Sequence, residues 1–260
     1  MHKLSIITPV YNGKRFIEFC IRSVIEQNCP EVEHVIVDGG STDGTVEIIR
    51  NYANNYSHIR WFSEKDRGQS DAMNKGIAIA QGAVLGFLNV DDYYEAGTLN
   101  RIVTLFRTLD EPTLAVGNCH VWREDGSLWF VSAPRKLCWK KILAGRYREA
   151  FPMNSSGYFY HRSLHNLIGP YDPDDHYSLD VDFILRALMH VRSVYLDEHW
   201  GNYRYLPGTK TFEDDMSGGN AVRLAALRAR YLRNLPPFDR LVIVADNLCM
   251  RVISRLRGYL

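Results

Sequence analysis

Short β-branched runs alternate with longer amphipathic stretches from Leu4 to about residue 108. LSIITPV (4–10) predicts a strand, and over 15–27 the residues Phe16, Phe19, Cys20, Ser23, Val24 and Gln27 recur at helical spacing, with the apolar members on one face. HVIVDGG (34–40) predicts a second strand, and Ser41-Thr42-Asp43 reads as the cap of a helix that runs to about residue 55 with Val46, Ile48 and Ile49 mostly inward. IRWF (59–62) predicts a third strand, followed within 66–82 by a loop at 66–68 and a helix that stops at Gly82. Residues 83–88 are apolar throughout, as in a fully buried parallel strand, and a helix follows from about 96 to 108.

Strand and helix in repeated alternation predict a mostly parallel sheet with helices on both faces, in which ligands bind at the carboxyl ends of the strands. Asp38 and the pair Asp91-Asp92 fall at such ends. The pair is conspicuous because GFLNVDDYY (86–94) carries a core strand straight into two adjacent carboxylates. Neighbouring carboxylates repel, so each needs a strong donor, solvent or a cation. Mg²⁺ or Mn²⁺ fits, since such an ion uses one or two carboxylates together with diphosphate oxygens and water. Two solvated aspartates capping the next helix are the alternative.

The second half has a different pattern. TLAVGNCHVW and SLWFVS flank REDG (123–126) as an antiparallel hairpin, SSGYFYH (155–161) predicts another strand, and LDVDFILRALMH (179–190) has helical periodicity. After Pro236-Pro237, Leu241, Val244, Ala245, Leu248, Val252 and Leu256 form a stripe on a helix that also carries Arg240, Arg251, Arg255 and Arg257. Such a tail suits either packing on protein or contact of 238–260 with an anionic membrane.

The chain has 260 residues, 46% hydrophobic and 23% charged, which excludes extensive disorder and suits one large domain with an appendage. A formal net charge of +1 points to no nucleic-acid partner. Five scattered cysteines without a C-x-x-C predict reduced, mostly buried thiols and a cytoplasmic setting. No apolar run reaches the roughly 20 residues that span a bilayer, and no leader pattern precedes Leu4. His161 and His165 have zinc spacing without a recognisable third ligand, and a G-x-G-x-x-G is absent after the first strand.

TPVYNG (8–13), VDGGSTDGT (37–45), DRGQSDAMNKGIAIAQG (66–82) and LNVDD (88–92) stand in an order and spacing that resembles the nucleotide-sugar half of family 2 glycosyltransferases, of the GT-A fold, and SLDVDFILR (178–186) extends the resemblance. The fold it implies is α/β, with a Rossmann-like nucleotide-binding half (1–110) and a mixed acceptor half (111–235), followed by the tail helix (236–260). It further implies that Thr8, Pro9, Val10 and Tyr11 enclose the nucleotide base and that Asp38 is the first acid at the second strand's end, with Gly39 where many relatives have a second acid. Asp66, Arg67, Gly68, Asp71 and Asn74 would border the donor's ribose and sugar. Asp92 would be the direct metal ligand, Asp91 would lie near ribose or metal, and Asn89 stands where some relatives have a further acid.

The resemblance makes Asp180 the general base and Asp182 a supporting residue, although an Asp-x-Asp opening a helix is also what an N-cap looks like. The implied partners are a nucleoside-diphosphate sugar, foremost a UDP-sugar with GDP- and dTDP-sugars as alternatives, and a carbohydrate or lipid-linked acceptor. A GT-A-like module that binds without transferring is the competing expectation. Trp122, Trp129, Trp139, Tyr158, Tyr160 and Trp200 suit either sugar stacking or core packing, while Arg204 and Lys210, with Gly208 between them, are candidates to approach the diphosphate.

Overall fold

The computed structural model describes residues 3–175 and 177–257, with the backbone alone for 250–257. The first half follows the predicted alternation: β1 (Leu4–Val10), α1 (Ile17–Ile25), β2 (Val32–Asp38), α2 (Thr45–Asn55), β3 (Ile59–Ser63), α3 (Gln69–Ile79), β4 (Val84–Phe87), a short β5 (Tyr93–Tyr94) and α4 (Thr98–Phe106). α2 begins at Thr45, directly after the segment read as its cap: Gly44 takes φ 99° and Asp43 Oδ1 accepts from Thr45 N at 3.0 Å, seating the first turn there.

The second half contains β6 (Thr113–Trp122) and β7 (Leu128–Ser132), antiparallel as the REDG turn predicts, then the short helices α5 (Trp139–Leu143) and α6 (Tyr147–Ala150). A 3-10 turn at Ser155–Gly157 leads into β8 (Tyr158–His161), followed by α7 (Leu164–Ile168), α8 (Leu179–His190), β9 (Arg192–Arg204), α9 (Lys210–Met216), α10 (Gly219–Asn234) and α11 (Pro237–Arg257).

The sheet runs β3-β2-β1-β4-β8-β6-β9-β5, with β7 on β6. β3, β2, β1 and β4 are mutually parallel, β8 is antiparallel to both neighbours, β9 is parallel to β6, and β5 closes the order antiparallel to β9. In register, Val10 pairs with Asp38 and Ile7 with Phe87, so β1, β2 and β4 leave the sheet on one side. Residues 88–92 alone link β4, in the middle of this order, to β5 at its far end. The sheet is therefore curled, and the acidic segment bridges the curl.

Helices cover both faces. Tyr158, Tyr160, Tyr171 and Phe183 anchor one core between sheet and α8, and Leu4, Ile6, Leu88, Leu99, Phe159 and Trp200 anchor the other. Glu33, wholly buried on β2, ties the first half together: its Oε1 accepts from Ser5 Oγ on β1 at 2.5 Å and from Gly82 N at 3.2 Å, and its Oε2 accepts from Arg60 on β3 at 2.9 Å. Glu33→Ala would strand these donors in the core and is expected to lower unfolding free energy by about 2–4 kcal/mol. Urea titration would read this as a lower midpoint at unchanged slope.

Candidate active site

A cavity of about 510 Å³ opens where β1 and β4 end, within the range of small-ligand sites. One wall comes from the loop after β1 (Pro9, Val10, Tyr11), the start of α3 (Asp66, Gly68, Gln69) and the segment after β4 (Asn89, Val90, Asp91). The other comes from the second half: Tyr177, Leu179 and Asp180 around the start of α8, Tyr203 on β9, and Gly208–Thr211 with Asp214 at α9. Both groups of predicted chemistry, Asp91 and Asp180, thus line one space.

Not every expected donor residue reaches it. Thr8 is buried under the sheet's end, its hydroxyl 2.9 Å from His34 Nε2. Arg67 and Asp71 lie on the outer side of α3, where Asp71 pairs with Lys75 at 3.3 Å and Arg67 at 3.9 Å. Asn74 instead clamps a backbone: Nδ2 donates to Tyr171 O at 2.8 Å, and Oδ1 accepts from Tyr171 N at 3.0 Å. Two of these placements follow from helical rotation, which directs Asp71 and Asn74 away from the face that carries Gln69 and Ala72, while Arg67 lies in the loop before the helix and Thr8 is turned into the strand's buried side.

Asp38 is also buried. Oδ2 accepts from Gly40 N (3.0 Å), Ser41 N (2.9 Å) and Ser63 Oγ (2.6 Å), while Oδ1, equally buried, accepts nothing among the described residues. The missing acid at Gly39 has a structural counterpart. A Cβ built at position 39 would lie 2.5 Å from Asp66 Oδ2, so the absence of a side chain there is what lets the Asp66 carboxylate occupy that place beside Asp38.

The two aspartates differ in burial. Asp91 borders the cavity, whereas Asp92 is 0% exposed beneath it. Asp92 Oδ2 accepts from Asn154 at 2.7 Å and Asn89 at 3.2 Å, and Oδ1 accepts from Arg204 N at 3.0 Å. Burial raises the Asp91 carboxyl, with the Arg204 charge opposing it. Burial followed by the Asp91 charge raises Asp92 well above the usual carboxylate range, against those hydrogen bonds. A cation beside Asp91 would relieve that cost. Among the described residues no three His, Cys, Asp or Glu side chains gather as a cage, but an ion that keeps diphosphate oxygens and water needs only one or two carboxylates. Asp91 therefore fits as a cation ligand at the cavity edge, and Asp92 is held beneath it by its three donors.

Asp180 is not a cap. The turn that leads into α8 is tied instead by Asp175, its Oδ1 accepting from Tyr177 N at 3.0 Å and Ser178 N at 2.7 Å, while no side chain caps the helix itself. Asp180 Oδ1 accepts from the fully buried Tyr158 hydroxyl at 3.0 Å, and burial raises its carboxyl while Tyr158 and Lys210 oppose the rise. Lys210 lines the same cavity, lowered by burial. Asp182 does not support Asp180. It faces a separate cavity of about 460 Å³, holding Arg186 and Arg230 at 2.7 Å each.

Arg204 turns under the acidic segment, donating from Nε to Asp91 O with its guanidinium over the Phe19 ring at 4.8 Å. His161 accepts from Thr113 N at 3.1 Å and His165 meets Tyr160 at 3.0 Å, so each is engaged separately. His176 lies outside the described residues, and His199 stacks on His120. Of the six aromatics, Tyr158, Tyr160 and Trp200 are core, Trp139 packs against it, Trp122 donates to Asn202, and Trp129 is 46% exposed. Gln69, Asn154 and Tyr203 were not legible as site residues, because no local motif marks them.

The two aspartates are separable by stability. Asp92→Asn places an amide donor among three donors and is expected to cost about 2–3 kcal/mol. Asp91→Asn, at a carboxylate on the cavity edge whose charge burial disfavours, is expected to stay within about 0.5 kcal/mol of the parent. Chemical denaturation without added metal would compare them.

The comparisons with known proteins agree with this geometry. A sequence model described as glycosyl transferase family 2 matches residues 5–167. A PGL/p-HBAD biosynthesis glycosyltransferase of Mycobacterium bovis is 32% identical over 265 residues, covering 96% of this chain and 92% of that protein. The uncharacterized glycosyltransferase YibD of Escherichia coli is 35% identical over 131 residues, 49% of this chain but 37% of that longer protein. Among solved structures, S. aureus TarS 1–349 with UDP-GlcNAc superposes with a TM-score of 0.71 at 20% identity, over 95% of this chain and 71% of that one. A mannosyltransferase of Pyrobaculum calidifontis with GDP-Man and Mn²⁺ superposes with 0.63 at 18% identity, over 99% and 81%. With its curled mixed sheet and its cavity at the strand ends, the chain belongs to glycosyl transferase family 2 and is a glycosyltransferase of the GT-A fold.

Proposed function

We propose that the protein transfers a hexosyl group, with inversion, from a nucleoside-diphosphate sugar to a hydroxyl of a carbohydrate or lipid-linked acceptor, at the cytoplasmic face of a membrane, in the synthesis of a cell-surface polysaccharide or glycolipid. The observation that carries this reading is that Asp91, the cation-competent carboxylate, and Asp180, a carboxylate held by Tyr158, line one cavity of donor size. Names among the relatives and neighbours support the substrate classes: PGL/p-HBAD biosynthesis for the mycobacterial protein, UDP-GlcNAc for TarS and GDP-Man for the archaeal enzyme. A UDP-sugar is the favoured donor, ahead of GDP- and dTDP-sugars.

Each residue has a derived task. The buried Oδ1 of Asp38 is an unmet acceptor that a ring N–H of the base would satisfy. Tyr11, 66% exposed at the rim, offers a face on which that ring can stack. Tyr158 occupies Asp180 Oδ1, which leaves Oδ2 to take the acceptor's proton. As that proton moves to Asp180, the acceptor oxygen bonds the anomeric carbon and the bond to the diphosphate breaks on the opposite side, which inverts the centre. A bound Mg²⁺ or Mn²⁺, held by Asp91, supplies charge neutralisation for the departing diphosphate. Lys210 adds a positive charge to the same cavity.

Radiolabel transfer from UDP-, GDP- and dTDP-sugars tests the reading, preceded by a thermal-shift screen of the same donors with and without Mn²⁺. Asp180→Asn is expected to lower kcat about 10²- to 10⁴-fold while donor affinity is kept. Because the base must be ionised and burial raises it, kcat/KM is expected to fall, as pH drops, through a value above the ordinary Asp pKa of about 3.9. Donor binding by calorimetry with no turnover on any acceptor, unchanged in Asp180→Asn, would make the protein a binding module instead.

A further inference from the structure

α11 has two faces of opposite design. One face is docked: Ile243 is 1% exposed within the core, Asp239 accepts from Lys140 at 2.6 Å, Asp246 from Arg146 at 3.1 Å, and Asn247 donates to Ala144 O at 2.7 Å. The other face is open and apolar, with Phe238 74%, Leu241 67%, Val244 52% and Leu248 61% exposed. The described members of the stripe legible in the sequence, Leu241, Val244, Ala245 and Leu248, thus turn to solvent, the reverse of an ordinary surface helix. Single exposed apolar residues are unremarkable, but a stripe along one helix marks an interaction surface.

Charge selects the occupant. Asp239 and Asp246 are the only acids within 237–257, and both are spent on inward ion pairs. Arg240 is exposed, and the sequence adds Arg251, Arg255 and Arg257 to the same helix. A second copy of this helix would bring another apolar stripe but also the same arginines, and its two acids are already paired inward. An anionic lipid surface meets both features. No helix among the described residues is long and apolar enough to cross a membrane, which leaves lying in the interface as the membrane mode.

We propose that α11 docks the protein on an anionic bilayer, with Phe238, Leu241 and Leu248 entering the boundary of headgroups and acyl chains and the arginines meeting lipid phosphates. This surface goes beyond the donor-site reading and does not rest on it.

The test uses the full chain and two vesicle types, phosphatidylcholine alone and phosphatidylcholine mixed with phosphatidylglycerol. Co-sedimentation is expected with the mixed vesicles, weakened by added salt, and at least about tenfold weaker for Leu241→Asp/Leu248→Asp. Arg240→Glu is expected to weaken it by about fivefold or more. Both changes are at exposed positions, so an unchanged circular-dichroism melt shows that the fold is kept. Absence of binding to the mixed vesicles, equal binding to both vesicle types, or undiminished binding by the folded double variant would each overturn the proposal. A dimer in sedimentation velocity that Leu241→Asp/Leu248→Asp dissolves would overturn it in favour of a second copy.

Discussion

The hydrogen bonds on the buried carboxylate of Asp92 are the constraint on which the site rests. Three segments distant in sequence meet on it: the end of β4 through Asn89, the turn before β8 through Asn154, and β9 through the Arg204 backbone. Burying a carboxylate is costly unless its oxygens are satisfied, so the fold must hold these donors in place. The consequence is positional. With Asp92 tied down, Asp91 has one place to be, at the cavity edge, and the curl that carries β4 toward β9 is locked at the same point.

The opposite wall is set by one helix. Asp180 and Asp182 are two residues apart on α8, so their side chains diverge by more than half a turn. One faces the cavity with Tyr158, and the other faces Arg186, Arg230 and Tyr231. The same helix thereby positions a candidate base and fastens α10 to the domain. Asp175 fixes the turn before α8 by accepting from Tyr177 N and Ser178 N, and Asp180 is left to face the cavity.

The first half shows how a departure from a family pattern is absorbed locally. Gly39 stands where the family resemblance leads one to expect a second acid, and the Asp66 carboxylate from a later loop lies where a side chain at 39 would be. The acidic character beside Asp38 is preserved while its source moves from β2 to the approach to α3. α11 adds a second asymmetry, with its two acids paired inward and Phe238, Leu241, Val244 and Leu248 exposed.

Local periodicity was sufficient for β1 to α4, the β6–β7 hairpin, α8 and α11, because buried parallel strands and amphipathic helices write their burial directly into residue spacing. It also put Asp38 and Asp91 at the carboxyl ends of strands, whereas Asp180 entered only through the family resemblance. β9 was not legible, since Asp197, Glu198 and His199 interrupt its pattern and are satisfied only by partners such as Arg135, Arg101 and His120 brought in from far along the chain. Nor could spacing decide which of two adjacent aspartates faces the cavity, whether Asn74 meets a ligand or the Tyr171 backbone, or which side of α11 is covered. Those choices depend on which donors surround a side chain after the sheet has curled, and only tertiary structure supplies that.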